Sequence, residues 1–179
     1  MIVPVQIRKA VPADASAVAG FNAQLALETE GRVLDGGLLN AGVAAVLADA
    51  NRGIYWLAEV NRQVVGQLLI TTEWSDWRNG WFWWIQSVFV KPEWRGRGVF
   101  QALYHFIEEQ AAARPDTCGL RLYVDCHNSR AKTAYEHLGL GETDYELFEV
   151  DFRHPVQNGQ NGGHNGSSQP APSRRSRSS

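Results

Sequence analysis

The sequence predicts an α/β chain built on one central sheet, mixed but mostly antiparallel, with helices on both faces. Three observations predict it. Stretches alternating apolar and polar residues interleave with stretches whose apolar residues recur every three or four, giving the order β-α-α-β-β-β-α-β-α-β. A two-residue turn joins two of the middle strands, which makes them antiparallel. A strand-helix-strand unit then follows, and its crossover must pass over the sheet.

Val3 to Arg8 alternates as a strand, and Pro12 and Asp14 precede Val18, Phe21 and Leu25 at helical spacing. Gly36-Gly37 opens a second helical stretch with Leu38, Leu39, Val43, Val46 and Leu47. Ile54–Val60 and Gln63–Thr72 read as a hairpin across Asn61-Arg62, where Asn tolerates positive φ. Trp74 to Asn79 is expected to be a loop, and the aromatic and β-branched run Trp81 to Val90 is expected to be the central strand, ended by Pro92. A helix with Val99, Leu103, Phe106, Ile107 and Gln110 on one side closes at Arg114-Pro115. Leu120, Leu122 and Val124 alternate with polar neighbours in the next strand. Asn128 then introduces a helix carrying Ala131, Ala134, Tyr135 and Leu138, ended by Gly139. A last strand is expected from about Tyr145 to Phe152.

Residues 1–152 form the expected single domain, and residues 153–179, rich in Gln, Asn, Gly, Ser and Arg, read as a disordered tail. The domain carries 13 basic and 19 acidic side chains, a net charge of −6, which argues against nucleic acid as a partner. No apolar run approaches the roughly 20 residues that span a bilayer, and no leader pattern opens the chain. The expectation is therefore a cytoplasmic protein without a membrane partner. Cys118 and Cys126 flank an extended stretch that would separate them by roughly 26 Å, too far for a disulfide. Cys126 is expected to be a buried, inert thiol. His105, His127 and His137 show no ligand spacing, so no metal is expected.

The most informative stretch is Val88-Phe89-Val90-Lys91-Pro92-Glu93-Trp94-Arg95-Gly96-Arg97-Gly98-Val99-Phe100, where a strand runs through a glycine-containing loop into a helix. The unpaired N–H groups of a helix start suit a phosphate or pyrophosphate. Gly96 and Gly98 let it approach the backbone, while Arg95 and Arg97 add charge. A Walker loop lacks its Lys-Ser/Thr ending here, and a dinucleotide fingerprint lacks its third glycine, since Gln101 stands there. A plain glycine-rich connection with solvated arginines is the alternative. The dense cluster Trp74, Trp77, Trp81, Trp83 and Trp84 either lines a pocket for a cation or forms core and subunit contact. Trp84 and Gln86 share one strand face and are nominated as substrate-binding residues.

Arg95-x-x-Gly98 after Val88-Phe89-Val90, followed by Asn128 and by Tyr135-Glu136-His137-Leu138-Gly139, resembles the GNAT superfamily of N-acetyltransferases over residues 1–152. The resemblance implies a GNAT-like fold and acetyl-CoA as cosubstrate, without a metal. The strand Val88 to Val90 would pair its backbone with the pantetheine arm. The loop Arg95, Gly96, Arg97, Gly98, Val99 and Phe100 would wrap the pyrophosphate, although the family prefers Gly or Ala where Phe100 stands. Asn128 would approach the pantetheine, and Tyr135 would protonate the departing sulfur, although its helical face equally suits a core tyrosine. A second resemblance, to diamine (spermidine/spermine) acetyltransferases, rests on Glu28-Thr29-Glu30, Trp81 to Val90 and Arg95-Gly96-x-Gly98. Those enzymes carry a Glu base where this chain has Gln86.

A lysine-like amine has a pKa near 10.4 and is mostly protonated at neutral pH, so its attack requires a base or desolvation. Glu28, Glu30, Glu73 and Asp76 are the candidates, Glu28 and Glu30 foremost. The expected activity is transfer of acetyl from acetyl-CoA to a small-molecule amine in a ternary complex. Acetylation of a protein or peptide amine and a non-catalytic acyl-CoA-binding module are the alternatives. A homodimer is compatible with the resemblance.

Overall fold

The computed structural model describes residues 4–152; the expected tail from residue 153 lies outside the described residues. Residues up to Gly141 form one compact unit. Its elements are β1 (Gln6–Lys9), α1 (Ala15–Glu30), α2 (Gly36–Ala48), β2 (Ile54–Val60), β3 (Gln63–Ser75), β4 (Gly80–Val90), α3 (Val99–Ala112), β5 (Thr117–Leu122) and α4 (Ser129–His137). The sheet runs β1-β2-β3-β4-β5, antiparallel except for the parallel β4–β5 pair. Its middle strand is β3, not the Trp81–Val90 run expected there. That run lies one place towards the β5 edge, because the crossover through α3 adds β5 beside it.

Local chemistry explains the elements. Asn61 and Arg62 both take positive φ (50° and 63°), as a two-residue hairpin turn requires. The Asp35 carboxylate accepts from the Leu38 amide at 2.7 Å and caps α2, while Gly31 (φ 62°) ends α1. The two sheet faces bury separate clusters. Trp56, Ala58, Val60, Leu68, Ile70 and Ile85 meet Val99, Leu103, Tyr104 and Ile107 of α3. On the other face Tyr55, Leu57 and Leu69 meet Val18 and Ala19 of α1 and Val43 of α2.

The strand expected from Tyr145 to Phe152 does not form. Residues 142–152 belong to a second unit and carry neither helix nor strand among the described residues, with Tyr145, Leu147, Phe148, Val150 and Phe152 between 67% and 90% exposed. Alternation supplies two faces for a strand, but only a neighbouring backbone makes it one. The β5 strand also stops at Leu122, short of the expected Val124 and Asp125.

Candidate active site

The β4 strand carries a bulge. Gln67 pairs with Phe89 and Leu69 with Gln86, so Leu68 alone faces both Ser87 and Val88. Ser87 adopts φ 47°, a left-handed conformation that costs a non-glycine residue about 1–3 kcal/mol. The extra residue resets the alternation. Trp83, Ile85, Val88 and Val90 point towards α3, while Phe89 lies beneath Phe21 of α1 in a stacked pair at 5.0 Å.

Pairing of β4 with β5 covers only Trp81–Ile85 and ends at Ile85↔Leu122. From Gln86 to Val90 the strand has no β5 partner, so one edge of its backbone opens beside the bulge. This is the edge on which Val88, Phe89 and Val90 were expected to act. The Phe89 ring itself is core, 2% exposed, which leaves only its backbone for a ligand.

That edge leads into the glycine loop. Pro92–Trp94 makes a 3-10 turn, Gly96 takes φ 71° and Gly98, the residue before α3, takes φ 81°. No side chain caps α3, and its first backbone bond runs from the Ala102 amide to the Gly98 carbonyl. The amides of Val99, Phe100 and Gln101 thus lack helical acceptors, as a phosphate cradle needs. Close approach at Gly66 seats the loop: a Cβ there would meet the Phe89 carbonyl at 3.0 Å and the Val99 side chain at 3.3 Å. Arg95 is anchored by its Nε to the Val90 carbonyl (2.9 Å) and by Nη2 to Glu28 Oε2 (2.6 Å), whereas Arg97 stacks over Trp94 at 5.2 Å.

The Phe100 side chain turns away from the amides: its ring meets Tyr135 edge-on at 5.7 Å. Burial pushes the Tyr135 phenol above its ordinary pKa, keeping it protonated. Asn128 caps α4 through Oδ1, which accepts from the Ala131 amide at 3.1 Å, and this leaves its Nδ2 as the group available to a ligand.

On the α1/α2 face of the sheet, Trp84 stacks on Tyr123 at 4.4 Å and donates from Nε1 to Glu73 at 2.5 Å. Arg121 bonds the same carboxylate at 3.1 Å and lies 3.7 Å over the Phe82 ring. Gln86 donates to the Thr71 hydroxyl at 2.6 Å. The tryptophan cluster is divided rather than gathered: Trp83 packs towards α3, Trp74 and Trp81 pair with each other at 5.0 Å, and Trp77 is 89% exposed. Glu28 stands against the loop arginine, not beside Trp84, and Glu30 is exposed at the end of α1 without an ion pair among the described residues. Cys126 is exposed, contrary to expectation, because it follows the end of β5 in a loop; both cysteines are free. With Asp125 and His127 it forms a group whose ligand atoms lie within 4.8 Å of one another, all three residues exposed.

The bulge, Ser87 and the side chains beneath it (Gln67, Asn22 and Tyr55) were missed by sequence reasoning. The signals available were the isolated glutamine in the apolar stretch Val64–Ile70 and the adjacent Gln86-Ser87 in the run Trp81–Val90.

Comparison with known proteins agrees with this geometry. The model of the acetyltransferase (GNAT) family matches residues 29–140. A solved structure described as a possible acetyltransferase from Clostridium difficile 630 is 43% identical, with a TM-score of 0.78 over 84% of this chain and 99% of its own. A predicted acetyltransferase from Clostridium acetobutylicum, solved with acetyl-CoA, shares the fold at 20% identity (TM-score 0.68, 84% of this chain and 99% of its own). A ribosomal-protein-alanine N-acetyltransferase from Brucella melitensis does so at 19% (TM-score 0.68, 83% and 99%). A search of curated proteins gave no match. No helix among the described residues is long and apolar enough to cross a membrane. With the family model covering more than half of the chain and a 43% identical relative spanned almost end to end, the chain belongs to the GNAT family of acetyl-CoA-dependent acetyltransferases.

Proposed function

We propose that the protein acetylates a primary amine of a small molecule by direct attack in a ternary complex. The observation that carries this reading is the surface beside the open β4 edge, where the stacked Trp84–Tyr123 pair and the Glu73 carboxylate stand together. Aromatic faces attract an ammonium group, while the Glu73 carboxylate, paired with Arg121, holds the Trp84 ring in place. The Phe82, Trp84 and Tyr123 rings on this face suit a compact acceptor better than an extended peptide. The finer reading, a diamine acceptor, rests on the acidic Glu28-Thr29-Glu30 segment, of which Glu30 has no ion pair among the described residues.

Acetyl-CoA would supply the acetyl group as a thioester, and the residues present fit it. The open amides of Val99, Phe100 and Gln101, with Arg95 and Arg97, suit its pyrophosphate, and the unpaired edge Val88–Val90 and Asn128 Nδ2 suit its pantetheine. The Val88 backbone N–H polarises the carbonyl, and Tyr135 supplies the proton taken up by the departing thiolate. Gln86 is neutral, Glu28 is paired with Arg95 and Glu73 with Arg121, so deprotonation of the amine falls to Glu30, to Asp76 or to solvent water. Glu28 acts in this scheme as a tether of the loop.

Free-thiol release from acetyl-CoA, measured against diamines, amino acids, aminoglycosides and peptides, tests the reading. Turnover with small amines is the expected result. Turnover with peptides alone would move the acceptor to a protein, and acetyl-CoA binding without turnover on any amine would leave a binding module.

A further inference from the structure

A ring of buried polar side chains lies beneath the bulge. Gln67 of β3 is fully buried, and its Nε2 donates to Asn22 Oδ1 at 2.7 Å and, more weakly, to the Ser87 carbonyl at 3.4 Å. Asn22 of α1 donates from Nδ2 to the Tyr55 hydroxyl of β2 at 2.9 Å, and that phenol also interacts with the Ser87 side chain. Three elements, α1, β2 and β3, therefore converge on the one residue of β4 that is left-handed without being glycine. We propose that Gln67, with Asn22 and Tyr55, is a positioning residue for acetyl transfer: the ring holds Ser87 in its left-handed conformation and so aims the β4 backbone donors along the open edge. The proposal rests on the reading of that edge as the acetyl-CoA site.

Stability alone does not explain the glutamine. Gln67 Oε1 is buried without a hydrogen-bond partner among the described residues, at a desolvation penalty of about 1–3 kcal/mol. A leucine or methionine there would avoid it. The amide cannot simply be reversed, because Oε1 would then face both the Ser87 carbonyl and Asn22 Oδ1. Ser87 in turn needs outside support, since a positive φ relaxes unless its surroundings over-determine it. A small rotation there redirects the neighbouring N–H groups, and a misaimed donor to a developing oxyanion lowers kcat about 100-fold or more.

The test compares Gln67→Leu and Tyr55→Phe with the wild-type full chain by three measurements: the Ser87 backbone chemical shifts, which report φ; the thermal midpoint; and kcat and KM for acetyl-CoA. The expected result is a Ser87 shift away from left-handed values in both variants, a kcat at least 10-fold lower in Gln67→Leu, a smaller fall in Tyr55→Phe, and KM within two-fold. The two variants keep the test open if one fails to fold. Unchanged Ser87 shifts, or a kcat that falls only in step with global unfolding, would overturn the proposal. A wild-type protein that transfers acetyl to no amine, with Ser87 still displaced in the variants, would remove the functional reading while leaving the ring's hold on the bulge intact.

Discussion

At the residue scale, Tyr135 is the side chain whose role is most directly testable. Burial raises its pKa, so the phenol remains a donor throughout the neutral range, and the Phe100 ring edge braces it from the glycine loop. Tyr135→Phe keeps the ring and its packing while removing only the proton. If Tyr135 protonates the thiolate, kcat falls about 100-fold, and acetyl-CoA affinity by calorimetry stays within two-fold. The sign for pH follows from the direction of the shift: a donor with a raised pKa loses its proton only above its ordinary value near 10. The kcat profile of the wild type should therefore show no alkaline fall from this group below about pH 10. An unchanged kcat in the variant would return Tyr135 to the core tyrosine that its helical face equally suits.

At the element scale, the junction from β4 into α3 is where sequence and geometry agree most closely. Gly98 holds φ 81°, and a Cβ there would meet only Gln101 Oε1 at 3.7 Å, so Gly98→Ala carries a conformational penalty rather than a clash. That penalty is about 1–2 kcal/mol. The loop should relax away from its open amides, and acetyl-CoA affinity measured by calorimetry should weaken about 10-fold, whereas an unchanged affinity would show that the pyrophosphate lies elsewhere. This junction was legible because glycines, arginines and a helix start carry local signals. The Asn61-Arg62 turn was legible for the same reason. The bulge was not, because Trp81 to Val90 is apolar or aromatic on both faces except at Gln86-Ser87, and two adjacent polar residues in a strand do not by themselves tell a change of phase from ordinary alternation. The place of β4 in the sheet and the missing strand at Tyr145–Phe152 escaped for another reason: both depend on which distant backbone is at hand. The Glu28–Arg95 pair, 67 positions apart, belongs with them.

At the scale of the whole molecule, the sheet is asymmetric, and its two edges are treated differently. The β5 side leaves the β4 edge open for chemistry, while the β1 side is secured by charge. Arg8 of β1 pairs with Asp14 at 2.8 Å, just before α1, and with Glu59 of β2 at 2.7 Å, so one guanidinium ties the edge strand to its neighbour and to the first helix. The Asp14 carboxylate is 12% exposed, and its hydrogen bonds from Arg8 hold its pKa below the ordinary carboxylate range, outweighing desolvation. A depressed pKa stabilises the fold fully above the unfolded value, near 3.9, and that stability is lost as pH falls through the folded value. Arg8 stays charged throughout. Asp14→Asn keeps the shape and an oxygen that can accept from the Val11 amide, but it removes the charge. With partial solvent screening of Arg8, the variant should be about 1–2 kcal/mol less stable at pH 7 by urea unfolding. The gap between variant and wild type should narrow steadily below about pH 4, where Asp14 of the unfolded chain takes up a proton that the folded carboxylate still resists. A gap of equal size at pH 7 and at pH 3 would mean that Asp14 acts through shape alone, and that the β1 edge is held by its backbone ladder and not by the charge on Arg8.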